Sequence, residues 1–106
     1  MRIEWTEQAL SQWEQAMSLC REMFGNKTVE NCNNLLVEKL QQLTENPELG
    51  HPEPLLKERK EKFRSLNLGK HYCLIYFVNT LCNTIYLIDY WDRRMNPTTL
   101  KRRVKS

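Results

Sequence analysis

The side chains with chemistry to offer in this sequence are cations, and they crowd into one stretch and its flanks. From Phe63 to Pro97 the chain reads FRSLNLGKHYCLIYFVNTLCNTIYLIDYWDRRMNP, with Arg64 near its start and the pair Arg93-Arg94 near its end. Just ahead lies KERKEK, in which Lys57, Arg59, Lys60 and Lys62 outnumber two glutamates; just behind lies Lys101-Arg102-Arg103-Val104-Lys105. Such groups suit phosphate, which they hold by charge and, for arginine, by paired hydrogen bonds. Residues 1–56 carry four Lys/Arg against nine Asp/Glu, a net −5, whereas residues 57–106 carry twelve against four, a net +8. That polarity points to a polyanionic partner, either nucleic acid or an acidic protein segment. KERKEK has two readings, a solvated hairpin tip or a basic loop that touches phosphates. The C-terminal cations likewise read as a frayed helix end or as an arm reaching phosphates or carboxylates.

Other chemistries find less support. Cys20, Cys32, Cys73 and Cys82 show no C-x-x-C spacing, and the two histidines, His51 and His71, make no zinc-ligand pattern with them. The cysteines are expected to be reduced, buried and inert, with no metal and no cofactor bound. No run of 18 apolar residues exists to span a membrane, and MRIEWTEQAL lacks the apolar core of a signal peptide, so a cytoplasmic protein is expected.

The elements that position the cations follow from periodicity. At 106 residues and 41% hydrophobic, the chain suits one domain over 1–106 with a single core. Met1 to Trp5 reads as a short strand. Thr6 is placed to cap a helix whose apolar stripe runs Ala9, Leu10, Trp13, Ala16, Met17, Cys20, Phe24 and which stops at Gly25-Asn26. Thr28 starts a second helix with the stripe Val29, Cys32, Leu36, Leu40, Leu43, ending before Asn46-Pro47. A connection this short makes the two helices an antiparallel hairpin. NPELGHPEP, residues 46–54, has too much proline for regular structure, and Leu55-Leu56 is a candidate for the start of a short strand. Phe63–Leu68, Tyr72–Val78 and Thr84–Trp91 read as successive strands, the middle one apolar on both faces and therefore central. The expected fold is α+β: an N-terminal strand, a helical hairpin, then a three- to four-stranded antiparallel sheet.

A helical hairpin covers one face of such a sheet. The other face is expected to remain uncovered, apolar and cationic, open to an acidic amphipathic helix or an added strand from a partner.

Several segments carry a resemblance to a known family. Ile3-Glu4-Trp5-Thr6, the helical hairpin, Asn46-Pro47-Glu48-Leu49-Gly50, Arg64-Ser65-Leu66, Tyr72-Cys73-Leu74-Ile75-Tyr76 and the ending from Asp89 through Trp91 to Pro97 resemble, in that order, the RelE/ParE superfamily of toxins from type II toxin–antitoxin systems. The resemblance implies a bacterial protein that arrests growth and is neutralised by a cognate antitoxin, in a complex that could be a heterotetramer. It leaves two activities open. RelE-like members enter the ribosome and cut mRNA, while ParE-like members poison DNA gyrase and cleave nothing themselves; a toxin fold without activity is a third reading. Cutting RNA requires cations on the phosphate and a group to move protons. Arg93 matches a cationic position of the RNA-cutting members, and Arg64 lies where they have a strand lysine. Their central-strand arginine falls at Cys73 and their C-terminal tyrosine near Thr99. His71, or less favourably Tyr90, would have to replace the proton shuttle. The resemblance thus implies Arg64 and Arg93 as catalytic residues; His71 joins them as a candidate because an imidazole titrates near neutral pH, Lys57, Arg59, Lys60, Lys62 and Arg94 are candidates for nucleic acid by their charge, and Asp89 and Asp92 are expected to orient Arg93 and Arg94. On these residues mRNA cleavage on the ribosome stands narrowly ahead of gyrase poisoning.

Overall fold

The computed structural model describes residues 1–104. Lys105, the last cation of the C-terminal run, lies outside the described residues. The elements are β1 (Arg2–Trp5), α1 (Glu7–Phe24), α2 (Asn26–Glu45), β2 (His51–Pro52), a 3-10 turn (Pro54–Leu56), β3 (Arg64–Leu68), β4 (Tyr72–Asn79), β5 (Thr84–Asp92) and α3 (Pro97–Arg103). The strands form one sheet in the order β1-β5-β4-β3-β2. The last four strands pair antiparallel, and β1 joins β5 in parallel.

The four strands after the helical hairpin pair antiparallel as expected, and the N-terminal strand adds a fifth, parallel member, so the sheet as a whole is mixed. The helical hairpin carries the chain across the sheet, so β1 arrives at the far side of β5 running in its direction; a crossover is what a parallel pair requires. A departure from expectation is at residues 46–56. Gly50 sits so close to β3 and β4 that a Cβ there would lie 2.6 Å from the Ser65 carbonyl and 2.9 Å from the Tyr76 ring. That approach lets His51 and Pro52 pair with Ser65 and Arg64 as a two-residue edge. Leu55-Leu56 belongs to the 3-10 turn instead of a strand, with Pro54 at its first turn, where a missing N–H costs nothing.

Thr6 does double duty at the start of α1. Its hydroxyl accepts from the Ala9 N–H (3.2 Å) and donates to the Leu87 carbonyl (2.8 Å). α1 and α2 are separated by Gly25 alone, which has φ 90° and donates its N–H to Arg21. Left-handed φ favours glycine there. α2 therefore begins at Asn26, two residues before the expected Thr28.

The hairpin buries its stripe on one face of the sheet. Ala9, Leu36 and Leu43 pack with Leu66, Leu68, Leu74, Tyr76, Ile85, Leu87 and Tyr90, and Trp13 and Trp5 close the edges. Each fully buried Leu or Ile contributes roughly 1.5–3 kcal/mol of transfer free energy.

The second face is not left bare. Asn96 caps α3 by accepting from the Thr98 N–H, Pro97 follows at the first helical position, and Leu100 and Val104 drop onto Cys73, Ile75 and Trp91, joined by Leu56 and Phe63. The chain's own C-terminus covers the patch that the helical hairpin cannot reach. The expectation of an open apolar face is corrected accordingly: only its margins, such as Phe77 and Ile88, are half-exposed.

A bulge sorts β5 between the two faces. Ile75 pairs with Asp89 and Tyr76 with Leu87, leaving Ile88 as the extra residue. Before it Ile85 and Leu87 face the helices; after it Tyr90 does, and Trp91 turns to the α3 face. Thr6 donates to the Leu87 carbonyl at the bulge, so that acceptor is not orphaned where the ladder breaks.

Candidate functional site

The polar cluster of the sheet lies on the α3 face around Arg93. This residue follows β5, and its N–H donates to the His71 carbonyl (2.8 Å), which fixes where the side chain starts. Its guanidinium donates to Asn67 Oδ1 at 2.6 Å and to Ser65 Oγ at 3.2 Å. Ser65 and Asn67 alternate with the buried leucines of β3, so they share the face of their partners Ile75 and Cys73. Cys73 is fully buried beneath this cluster. Burial pushes its thiol up, while the Ser65 hydroxyl and the Arg93 charge draw it down and the Glu53 charge adds to the rise. Glu53, only 5% exposed, brings a carboxylate near the same thiol.

Arg64 stands apart from this. It pairs with Tyr76, on the face covered by the helices. Its guanidinium donates to the Gly50 carbonyl (2.7 and 3.1 Å) and the Glu48 carbonyl (3.2 Å). The Tyr76 hydroxyl completes the knot, accepting from the Gly50 N–H (3.0 Å) and donating to the Pro47 carbonyl (2.8 Å). Arg64 thus braces the loop of residues 46–50, and the two arginines expected to share one phosphate occupy opposite faces of the sheet.

The other expected residues divide similarly. Arg59 is engaged, donating to the Lys101 carbonyl at 2.6 Å at the end of α3. Arg94 closes on Asp92 through two bonds of 2.9 and 3.0 Å and lies 5.8 Å from the Tyr72 ring centroid. The Arg94 guanidinium holds the Asp92 carboxyl below its ordinary value. Lys57, Lys60 and Lys62 are exposed and make no ion pair among the described residues. Lys57 and Lys62 rim a cleft of about 410 Å³ whose wall includes Glu53 and Glu61. His71 is half-buried at the β3–β4 turn, beside Asp92. Asp89 does not orient Arg93. It is buried and held by Arg103, with bonds of 2.6, 2.7 and 3.1 Å, which pins α3 to β5. Burial raises the Asp89 carboxyl despite that partner. Tyr90, the weaker candidate for a proton shuttle, is buried between Trp13 and Tyr72, and burial pushes its hydroxyl far up, away from any neutral-pH role.

The sequence profile of the family described as the ParE toxin of the type II toxin-antitoxin system, parDE, matches residues 3–97. The chain belongs to the ParE toxin family. The match runs from the first strand to the start of α3 and so takes in the whole sheet. A solved structure described as the chromosomal ParDE TA system from P. aeruginosa is similar at a TM-score of 0.67 and 17% identity, covering 87% of this chain and 95% of that one. At that identity the likeness speaks for the fold. No curated protein matches the sequence.

Membership makes an antitoxin the partner of this ParE toxin. No helix among the described residues is long and apolar enough to cross a membrane, and no group of three or more His, Cys, Asp or Glu among them is arranged around a metal. Of the cysteines only Cys73 is buried; Cys20 and Cys32 are half-buried and Cys82 is exposed, so the expectation of four buried thiols is corrected. Sequence reasoning missed Ser65, Asn67 and Glu53 as the surroundings of Arg93. The alternation of Ser65 and Asn67 against Leu66 and Leu68 was the available signal, since it put two small polar groups on the face of Cys73. Nothing local marked Glu53, which reaches the cluster only because Gly50 lets its loop close on β3.

Proposed function

We propose that this ParE toxin arrests growth by binding and poisoning DNA gyrase, that its antitoxin neutralises it, and that it cleaves no RNA itself. The observation that carries this reading is the separation of Arg64 from Arg93. A pentavalent phosphate needs cations converging on one point, and each correctly placed donor contributes about 3 kcal/mol. Here Arg64 is spent on the Gly50 and Glu48 carbonyls on the helix side, while Arg93 stands on the other face. By the resemblance to the RNA-cutting members, their central-strand arginine falls at the buried Cys73 and their C-terminal tyrosine near Thr99. Family membership supports the same branch. The exposed Lys57, Lys60 and Lys62 then serve as contacts to the DNA held by the enzyme, or to acidic side chains of the antitoxin.

The test is a pair of assays on one preparation. With gyrase, ATP and supercoiled plasmid, the toxin is expected to trap cleaved DNA, and adding antitoxin is expected to reverse this. In a translation extract with a defined message, the message is expected to stay intact. Codon-positioned fragments together with unaffected gyrase would overturn the proposal.

One observation favours mRNA cleavage as the second reading: Arg93, Ser65 and the Glu53 carboxylate all lie about Cys73, bringing a cation and an acid–base group to one face. If fragments do appear, Glu53→Gln and Arg93→Ala should each abolish them, while His71→Ala should not.

A further inference from the structure

Two thiols meet across the helical hairpin. Cys20 and Cys32 lie six residues to either side of Asn26, the first residue of α2. With Gly25 alone joining the helices, the hairpin folds back on itself there, and the near-equal spacing brings the two positions to neighbouring turns. Both fall on the apolar stripes that the hairpin turns toward the sheet, Cys20 after Trp13 and Met17 and Cys32 before Leu36. Each thiol lies within electrostatic range of the other and of the Tyr90 hydroxyl of β5, and both are half-buried, so small reagents reach them. The turn is held by the Arg21 side chain donating to Asn26 Oδ1 (3.0 Å) and by the Gly25 N–H on the Arg21 carbonyl (2.9 Å), so the pairing is not left to a loose loop. Neither of the other cysteines has such a neighbour: Cys73 is fully buried on the opposite face and Cys82 is exposed in the β4–β5 turn.

We propose that Cys20 and Cys32 form a site of reversible oxidation, closing to an intramolecular disulfide that staples α1 to α2 when a low-molecular-weight disulfide of the glutathione type is in excess. The exchange balances without another reactant. The thiolate of one cysteine attacks the small disulfide and expels one thiolate; the second cysteine attacks the resulting mixed disulfide and expels the other. Two electrons pass from the cysteines to the small disulfide, and the two cysteine protons end on the two released thiols. Cys32 is a slow attacker near neutral pH, because burial and the adjacent Cys20 push its thiol up, so exchange accelerates as pH rises. The bond would close a short loop and brace the walls of the groove formed by Trp13, Met17, Arg21 and Val29.

The test uses the full chain carrying Cys82→Ser, which removes the exposed thiol and leaves the rest intact. Reduced protein is titrated with mixtures of reduced and oxidised glutathione and read by intact mass, peptide mapping and thermal unfolding. The expected result is loss of two hydrogens, a Cys20–Cys32 linked peptide, and an unfolding midpoint several degrees higher that dithiothreitol reverses. With Cys20→Ser added, the reaction should stop at a stable glutathione adduct on Cys32 and the midpoint should not rise. Separate glutathione adducts on both cysteines, or two thiols that stay reduced in excess oxidised glutathione while iodoacetamide alkylates both, would overturn the proposal.

Discussion

The two faces of the sheet are closed in different ways. On one side two long helices, of 18 and 20 residues, bury a continuous apolar layer around Leu74, Tyr76 and Leu87. On the other a seven-residue helix, α3, is held by Leu100, Val104 and one buried ion pair, and leaves the polar cluster of Arg93, Ser65 and Asn67 beside it. The first face depends on area, which many contacts share. The second depends on a few anchors, each of which can be lost singly. The bulk of the buried area thus lies on one side of the sheet and the candidate site on the other.

The sharpest way to break this comparison is to cut a leucine on each side. Leu74→Ala removes a fully buried side chain under the helices and should cost about 4 kcal/mol, read as a fall in the denaturant midpoint. Leu100→Ala, equally buried, should cost only about 2 kcal/mol, because α3 can lift away and let its site collapse. Hydrogen exchange should then show faster amides in α3 with little change in α1. Equal losses would mean that α3 is as integral as the hairpin.

Arg103→Ala falls between these, at about 3 kcal/mol at neutral pH, since it leaves Asp89 buried without its partner. The sign with pH is fixed by the raised Asp89 carboxyl. A carboxyl raised on folding binds its proton more tightly in the native state, so stability declines as pH climbs through the window from its unfolded to its folded value. Losing Arg103 raises that carboxyl further, so the destabilisation should shrink on acidification, and a loss that stays constant from pH 7 to pH 4 would contradict the assignment. Asp92 has the opposite sign. Its lowered carboxyl gives a small stabilisation through Arg94 that is present above the ordinary carboxylate range and fades as pH falls below it.

The smallest stability effect should come from Arg93→Ala, within about 0.5 kcal/mol, because Arg93 and Asn67 are exposed to water and the buried Ser65 hydroxyl keeps the Cys73 thiol as a partner. A silent substitution there that nonetheless changes toxicity would separate recognition from folding, as the two-sided arrangement requires.

Much of the helix-covered face was legible beforehand. The stripes from Ala9 to Phe24 and from Val29 to Leu43 have helical period, and the doubly apolar Tyr72–Val78 marked a central strand. What escaped was set by contacts distant in sequence. Parallel pairing of β1 with β5 depends on where the hairpin delivers the chain, and four residues carry no sign of that. The two-residue β2 exists because Gly50 lacks a Cβ at a point of backbone contact. Among the candidate site residues, the expected meeting of Arg64 and Arg93 rested on likeness to RNA-cutting relatives, whereas strand parity already put Arg64 with Leu66 and Leu68. The role of Arg103 was hidden in a charge run, where its partner Asp89 lies 14 positions away.

The bulge at Ile88 has a further consequence. It works as a phase correction: one surplus residue resets which way every later side chain points. Because Ile88 is the surplus residue, its deletion would straighten the ladder and keep Tyr90 toward the helices and Trp91 toward α3. One residue inserted between Asp89 and Tyr90 would instead turn Tyr90 outward and drive Trp91 in among the helices, so that the seat of Leu100 and the placement of Arg93 would fail together, though none of their own residues had changed.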